Sequence, residues 1–181
     1  MADLSAASPF GDLPATAGDP GCVVLTCLPT RDMLRLRLHD ADDAAGLDLP
    51  LTPNTVTGER PWRLWLGPRE WLFVDPGGLG DTAARLATAL AGRAHSVTPV
   101  ASASLSLVGP QADAVLARGC PLDLRRLGVG HCARSLQAQV GVLLHRHAPD
   151  HVELHVDVSV ARHVAGWLHT VVADLPGMIR P

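Results

Sequence analysis

Two periods alternate along this chain. Met33 to His39, MLRLRLH, sets an apolar side chain at every second position with Arg between, the pattern of a strand with one buried face. CVVLTCL, from Cys22 to Leu28, reads as a short strand, and WRLWLG (62–67) and EWLFV (70–74) give two more around the turn Gly67-Pro68-Arg69. HSVTPVA (95–101) and ASLSLVG (103–109) continue the series. CARSLQAQV (132–140), GVLLHRH (141–147) and HVELHVDV (151–158) follow as three closely spaced strands, the last two joined by the tight turn Ala148-Pro149-Asp150.

Between these runs the period lengthens to that of a helix. DTAARLATALAG starts one near Asp81 and stops it at Gly92. Pro110 occupies the first position of PQADAVLAR, whose buried stripe is Ala112, Val115 and Leu116, with Gly119 as a left-handed stop. A last helix runs from about Val160 to Ala173 with Ser159 as its cap, and Pro176-Gly177 ends it. Its inner face is Val160, Val164, Leu168, Val171 and Leu175. Residues 40–58 form a long polar connection, and residues 1–20 mix Ala, Ser, Gly, Asp and Pro without period, predicting a mobile or loosely docked arm. The expected fold class is α+β: a single domain over 21–181 with a mainly antiparallel sheet and helices.

Composition sharpens this picture. With 181 residues, 47% of them hydrophobic, the chain suits one compact core better than two. No apolar run approaches the roughly 20 residues needed to span a bilayer, and the opening residues lack a basic segment followed by an apolar one. A soluble cytoplasmic protein with no membrane partner is expected. The net charge of -3 and dispersed basic residues give no footprint for nucleic acid. Every basic residue is Arg, but the absence of Lys and Tyr alongside abundant Ala fits GC-rich codons as well as it fits interface ion pairs. The four cysteines match no zinc spacing, and Cys22 and Cys27 would face opposite sides of one strand, so buried or half-buried thiols are expected.

Four features invite a chemical reading. GLGDTA, from Gly78 to Ala83, has the Gly-x-Gly-x-x-Ala form of a dinucleotide loop, but Asp75-Pro76-Gly77 separates it from the preceding strand and HSVTPVA ends without an acid for a ribose. It reads as a glycine-rich turn before a helix. His145, His147, His151 and His155 share one hairpin, where His147 would pair with His151 and His145 with Glu153, all on one face. Such a cluster could grip a metal, yet histidines on a hairpin tip need no ligand role, and a polar surface face is expected with no metal. Cys120 has Arg118, Arg125 and Arg126 nearby but lies past a helix C-terminus, where the dipole disfavours a thiolate. Trp62, Trp65 and Trp71 cluster about the Gly67-Pro68 turn, and such aromatics are either core or, with Arg69, interface anchors. No catalytic residue is expected.

Three motifs in order carry a family resemblance: LGPREWLFV (66–74), LSLVGPQADAVLARGCPLDL (105–124) and VGVLLHRH (140–147). Over about Arg60 to Leu168 the chain resembles the gamma subunit of heterotetrameric sarcosine oxidase, through Gly67, Pro68, Arg69, Trp71, Gly109, Pro110, Cys120 and Pro121. The resemblance implies a fold similar to the folate-binding domain of glycine-cleavage aminomethyltransferases. It also implies alpha, beta and delta partner subunits that carry FAD, FMN, NAD, tetrahydrofolate and zinc, while this chain binds no cofactor and reacts with nothing itself. The implied role is that of a non-catalytic assembly subunit in oxidative demethylation of sarcosine or a related N-methyl amine, with Gly67, Pro68, Arg69 and Trp71 as interface candidates. Two alternatives stand beside it: a free-standing tetrahydrofolate-binding, aminomethyltransferase-like protein, and a metal-dependent protein using the hairpin histidines.

Overall fold

The computed structural model describes residues 8–44 and 46–175. Two antiparallel sheets lie face to face with helices on their outer sides, so the expected α+β architecture holds, but with two sheets in place of one. The first sheet runs in the order β1 (Thr16–Asp19), β2 (Val23–Cys27), β8 (Ser102–Val108), β11 (His151–Asp157), β10 (Val140–Ala148) and β9 (His131–Gln137). The second has the order β4 (Val56–Thr57), β5 (Trp62–Gly67), β6 (Glu70–Asp75), β3 (Asp32–Leu38) and β7 (His95–Pro99).

Alternation along each strand sorts its side chains between two layers. Leu25, Leu105, Leu107, Leu144, Val152 and Leu154 face α2 (Ala112–Ala117) and α3 (Ala161–Asp174), and make the main core with Val115, Leu116, Val164 and Leu168. Leu34, Leu36, Leu38, Trp71 and Phe73 face outward from the second sheet against Leu86 and Leu90, at α1 (Thr82–Ala89) and its C-cap. The layer between the sheets is thinner in apolar groups: Met33, Leu64, Leu72 and Val74 meet Cys132 and Leu143. Helix α1 carries the chain from β6 over β3 to β7, which pairs with the far side of β3.

Several local expectations are corrected. Residues 1–7 of the expected arm lie outside the described residues, but Thr16–Asp19 pairs with Val23–Thr26 as an edge strand and Phe10 is buried in the main core, so the docked part starts well before residue 21. The run 132–140 is not one strand. It breaks after Gln137 at Ala138 and Gln139, both at positive φ (50° and 66°), which is the backbone of a two-residue hairpin turn. Ser159 does not cap α3. Instead Asp157 Oδ1 accepts the Ser159 N–H at 2.8 Å in the turn that precedes it. The stop at Pro176-Gly177 lies outside the described residues. Gly119 is not left-handed. Its missing side chain is required by close approach, since a Cβ there would lie 2.8 Å from both Gln137 Nε2 and the Trp167 ring, and 3.0 Å from Ala138 N. Arg146, buried on the helix side, donates to Asp113 Oδ1 at 2.6 Å and Pro149 O at 2.7 Å, tying α2 to the β10–β11 hairpin.

Candidate functional site

The face of the first sheet that meets the second is unusually polar. On β8 it carries Ser102, Ser104 and Ser106, and on β11 His151, Glu153 and His155, because these alternate with the apolar residues of the main core. On β10 it carries His145, opposite Glu153, and His147. A bulge between Arg146 and Ala148 makes Ala148, not His147, the partner of His151, yet the rings still stack: His145 and His147 are 3.8 Å apart by centroid and His147 and His151 4.7 Å. Trp62 of β5 closes the cluster edge-on at 5.6 Å from His145 and 4.7 Å from His147.

This corrects the expectation of a surface face. His145, Glu153 and His155 are 3%, 3% and 4% exposed and lie between the two sheets, with His147 and His151 half-buried at the edge of the cluster. Glu153 holds the layer together. Arg31 donates to both its oxygens, at 2.6 and 3.2 Å, while lying over the Trp62 ring at 5.7 Å, and His147 Nε2 lies 3.3 Å from Glu153 Oε2. Burial alone would raise the Glu153 carboxyl, but its contacts with His147 and Arg31 outweigh that and bring it to about 2. Burial lowers His145 to about 3, with the neighbouring His147 and His155 adding to it, and lowers His155 to about 4. The His151 imidazole is pushed down too, first by burial and then by His147. These rings are neutral at physiological pH. Ser104 Oγ lies 2.9 Å from His155 Nδ1 and Ser106 Oγ 3.0 Å from His151 Nε2. Among the described residues no group of three or more His, Cys, Asp or Glu has the geometry of a metal site.

The other singled-out residues fall elsewhere. Gly67, Pro68 and Arg69 form the exposed β5–β6 turn and line a groove of about 400 Å³ with Arg37, His39 and Glu70. Arg69 is pinned there, donating to His39 O at 2.6 Å. Trp71 is not part of that surface. It is fully buried, its Nε1–H donates to Pro50 O at 2.8 Å, and it cannot serve as an interface anchor while the fold is intact. Gly109 has φ 138°, and a Cβ there would collide with the Cys22 carbonyl, so this position of the second motif is set by strand–strand approach. Pro110 begins the turn into α2. Cys120 and Pro121 line a cavity of about 800 Å³ with Gly119, Gln139, His163 and Trp167. The Cys120 thiol is 6% exposed and 3.3 Å from Ser135 Oγ, a packed thiol and not a poised one. Burial pushes the Cys132 thiol to about 12, with Trp65 O 3.3 Å away as its acceptor. In GLGDTA, β6 ends at Asp75, whose Oδ1 accepts Gly77 N–H at 2.8 Å, and α1 begins only at Thr82. The turn is therefore closed by its own aspartate. Arg31 was missed from sequence, because nothing local marks an Arg in a Pro-Thr-Arg-Asp loop as the partner of an acid 122 positions away.

The model of the family described as "Sarcosine oxidase, gamma subunit family" matches residues 37–174. The chain belongs to this family. Among curated relatives it is 34% identical over 132 residues to the sarcosine oxidase subunit gamma of Corynebacterium sp. (strain P-1), and 35% identical over 131 residues to that of an Arthrobacter sp.. These alignments cover 70% and 69% of this chain and 64% of each relative, so the chain spans somewhat less than two thirds of their length. Among solved structures, a chain of the heterotetrameric sarcosine oxidase from Corynebacterium sp. U-96, in complex with pyrrole 2-carboxylate, superposes with a TM-score of 0.76 at 29% identity, covering 88% of both chains. The glycine cleavage system aminomethyltransferase T from Bartonella henselae matches with a TM-score of 0.62 at 18% identity, over 82% of this chain and 45% of that one. This second match shows the fold alone. It agrees with the aminomethyltransferase-like architecture expected for a gamma-type subunit. Among the described residues no helix is long and apolar enough to cross a membrane.

Proposed function

We propose that this chain is a non-catalytic assembly subunit of a sarcosine-oxidase-like heterotetramer that oxidatively demethylates sarcosine or a related N-methyl amine. The superposition over 88% of both chains on a subunit of such an enzyme carries this reading. The chemistry of the chain supports it. Its densest group of titratable side chains is largely enclosed between two sheets, and the hydroxyls that meet its imidazoles, Ser104 at His155 and Ser106 at His151, are themselves buried, which fits a packed polar layer better than a nucleophile open to substrate. In this reading the partners are the alpha, beta and delta subunits, which carry FAD, FMN, NAD, tetrahydrofolate and zinc, and the assembly is cytoplasmic.

The docking turn is Gly67, Pro68 and Arg69, where a stiff backbone holds a guanidinium at the surface beside Glu70. The domain organisation in this account is one folded unit that includes the strand at Thr16–Asp19. The experiment is to separate this chain from its complex and assay both fractions. The chain is expected to be colourless and to release no peroxide from sarcosine, with flavin absorbance and activity in the remaining subunits. Stoichiometric flavin on this chain, or peroxide release by it alone, refutes the reading.

A further inference from the structure

We propose, resting on the assembly role, that the open half of β9 and the groove beside it receive an extended, acid-bearing segment of a partner subunit as an added strand. Strand β9 is the last strand of the six-stranded sheet. The two-residue turn at Ala138-Gln139 makes Gln137 and Val140 the hydrogen-bonded pair beside it, so by alternation Gln137, Ser135 and Ala133 turn their N–H and C=O groups to β10. Leu136, Arg134 and Cys132 turn theirs outward. The Cys132 N–H follows this parity: it donates to Asn54 O at 2.8 Å on the outer side, and beside it Gly130 O accepts from Val56 N–H at 2.9 Å.

That cover ends at Cys132. Among the described residues no backbone hydrogen bond reaches Arg134 or Leu136 on the outer side, which leaves two N–H and two C=O groups open along about 7 Å of edge. An open edge is a template for pairing, and chains blunt it with proline, lysine or a bulge. This stretch has none of the three. Its one charge, Arg134, is turned onto Glu70 Oε1 at 3.1 Å, and Leu136 is 46% exposed. The edge strand β7 of the other sheet differs, since it shows Ser96 and Thr98 to solvent and ends in Pro99.

The groove fixes the chemistry of the occupant. Leu136 is also a wall of the cavity of about 800 Å³, where half-buried Trp167, Pro121 and Val140 give apolar lining and Arg118 and His163 give the charged and titratable positions. A strand laid on β9 sends alternate side chains to the helix side of the sheet, into this groove. The lining includes a guanidinium and an imidazole but no carboxylate, so its complement is an apolar side chain with an acid close by, while the backbone bonds supply affinity. The Arg134 contact with Glu70 joins this edge to the Gly67-Pro68-Arg69 turn, and the two form one continuous surface for one partner.

Amide hydrogen exchange, resolved to single residues by fragmentation mass spectrometry, compares the full-length chain alone with the native complex from its host. The expected result is exchange at least about tenfold slower at Arg134 and Leu136 in the complex, with little change at Ser135, whose N–H already bonds β10. A second readout lets tagged wild-type and variant chains compete for the partner subunits during co-expression. Leu136→Ala removes the side chain and keeps the outward N–H, whereas Leu136→Pro removes both, a change tolerated on the open side of an edge strand. Leu136→Pro should enter the complex about threefold to tenfold less than Leu136→Ala, the worth of one net hydrogen bond. If Leu136→Pro does not fold, the exchange measurement decides alone. A complex that forms with both amides unprotected, or that takes up the two variants equally, overturns strand addition and leaves the assembly role standing. Protection that appears in the chain alone as it dimerises assigns the edge to a second copy and overturns it too. Absence of any complex overturns both this site and the assembly role.

Discussion

Acid should unfold this protein in a window fixed by its interior histidines. His145 and His155 are held at about 3 and about 4 in the folded chain, against about 6.5 when exposed, so between these limits the unfolded chain binds more protons than the folded one. The sign follows from that: stability is complete above the unfolded value and is lost as pH falls through 6.5. At about pH 5 each ring contributes a loss of about 2 kcal/mol, so the pair removes about 4 kcal/mol from a total that for a domain of this kind is about 5–15 kcal/mol. His151 shifts in the same direction and adds to the loss. Glu153, lowered to about 2, contributes stability that is lost only as pH falls below its ordinary value near 4.5, so its effect is separable at lower pH. Urea unfolding followed by tryptophan fluorescence at several pH values between about 8 and 5 measures the slope. In a His145→Gln, His155→Gln variant, which keeps polar side chains but removes the titration, the slope should fall by more than half even if the variant is less stable at about pH 8. A flat wild-type profile, or the same slope in the double variant, refutes the assignment of these rings as buried and neutral.

Three other outcomes follow from the packing. Gly119→Ala should destabilise by about 1–3 kcal/mol, because the added Cβ has 2.8 Å contacts to Gln137 and Trp167; chemical denaturation with an unchanged cooperativity slope checks it. Replacing Ala138-Gln139 with Asn-Gly should stabilise by about 1 kcal/mol, since both positions already have positive φ; the thermal midpoint reads the gain. Arg69→Ala should weaken co-purification with the flavin-bearing subunits while shifting this chain's own stability by less than about 1 kcal/mol, whereas Trp71→Ala should cost about 3–5 kcal/mol of folding, because it empties a buried site; paired melting and pull-down measurements separate the two.

Elements built from a long, one-sided pattern were legible in the sequence. MLRLRLH became β3 with the leucines buried, and Ala112, Val115 and Leu116 became the inner face of α2, because burial on one side imposes its period on the residues. The hairpin at Ala138-Gln139 was hidden because neither residue carries the Gly or Asn signature of a left-handed turn. The second sheet was hidden too, because pairing between β3, β6 and β7 is a long-range fact that alternation cannot express. The common face of the four histidines was visible from parity, whereas its burial was not. Polar residues on one side of a strand read as solvent-facing, and only the packing of Trp62 from the other sheet and of Arg31 from the loop before β3 turns that face inward. Trp71 misled in the opposite sense, since a tryptophan beside a Gly-Pro turn fits core and interface equally until Pro50 supplies its acceptor.

The proposed role for this chain is that of a structural member of a flavoenzyme assembly. An affinity-tagged full-length copy expressed from its native locus, purified gently and sized by light scattering with mass-spectrometric identification of its partners, tests it most directly. The expected product is a stoichiometric complex far larger than the 19.0 kDa chain, whose flavin absorbance belongs to co-purifying oxidase subunits. A free 19.0 kDa monomer in a host that makes those subunits, with oxidase activity eluting separately from it, would rule out the assembly role.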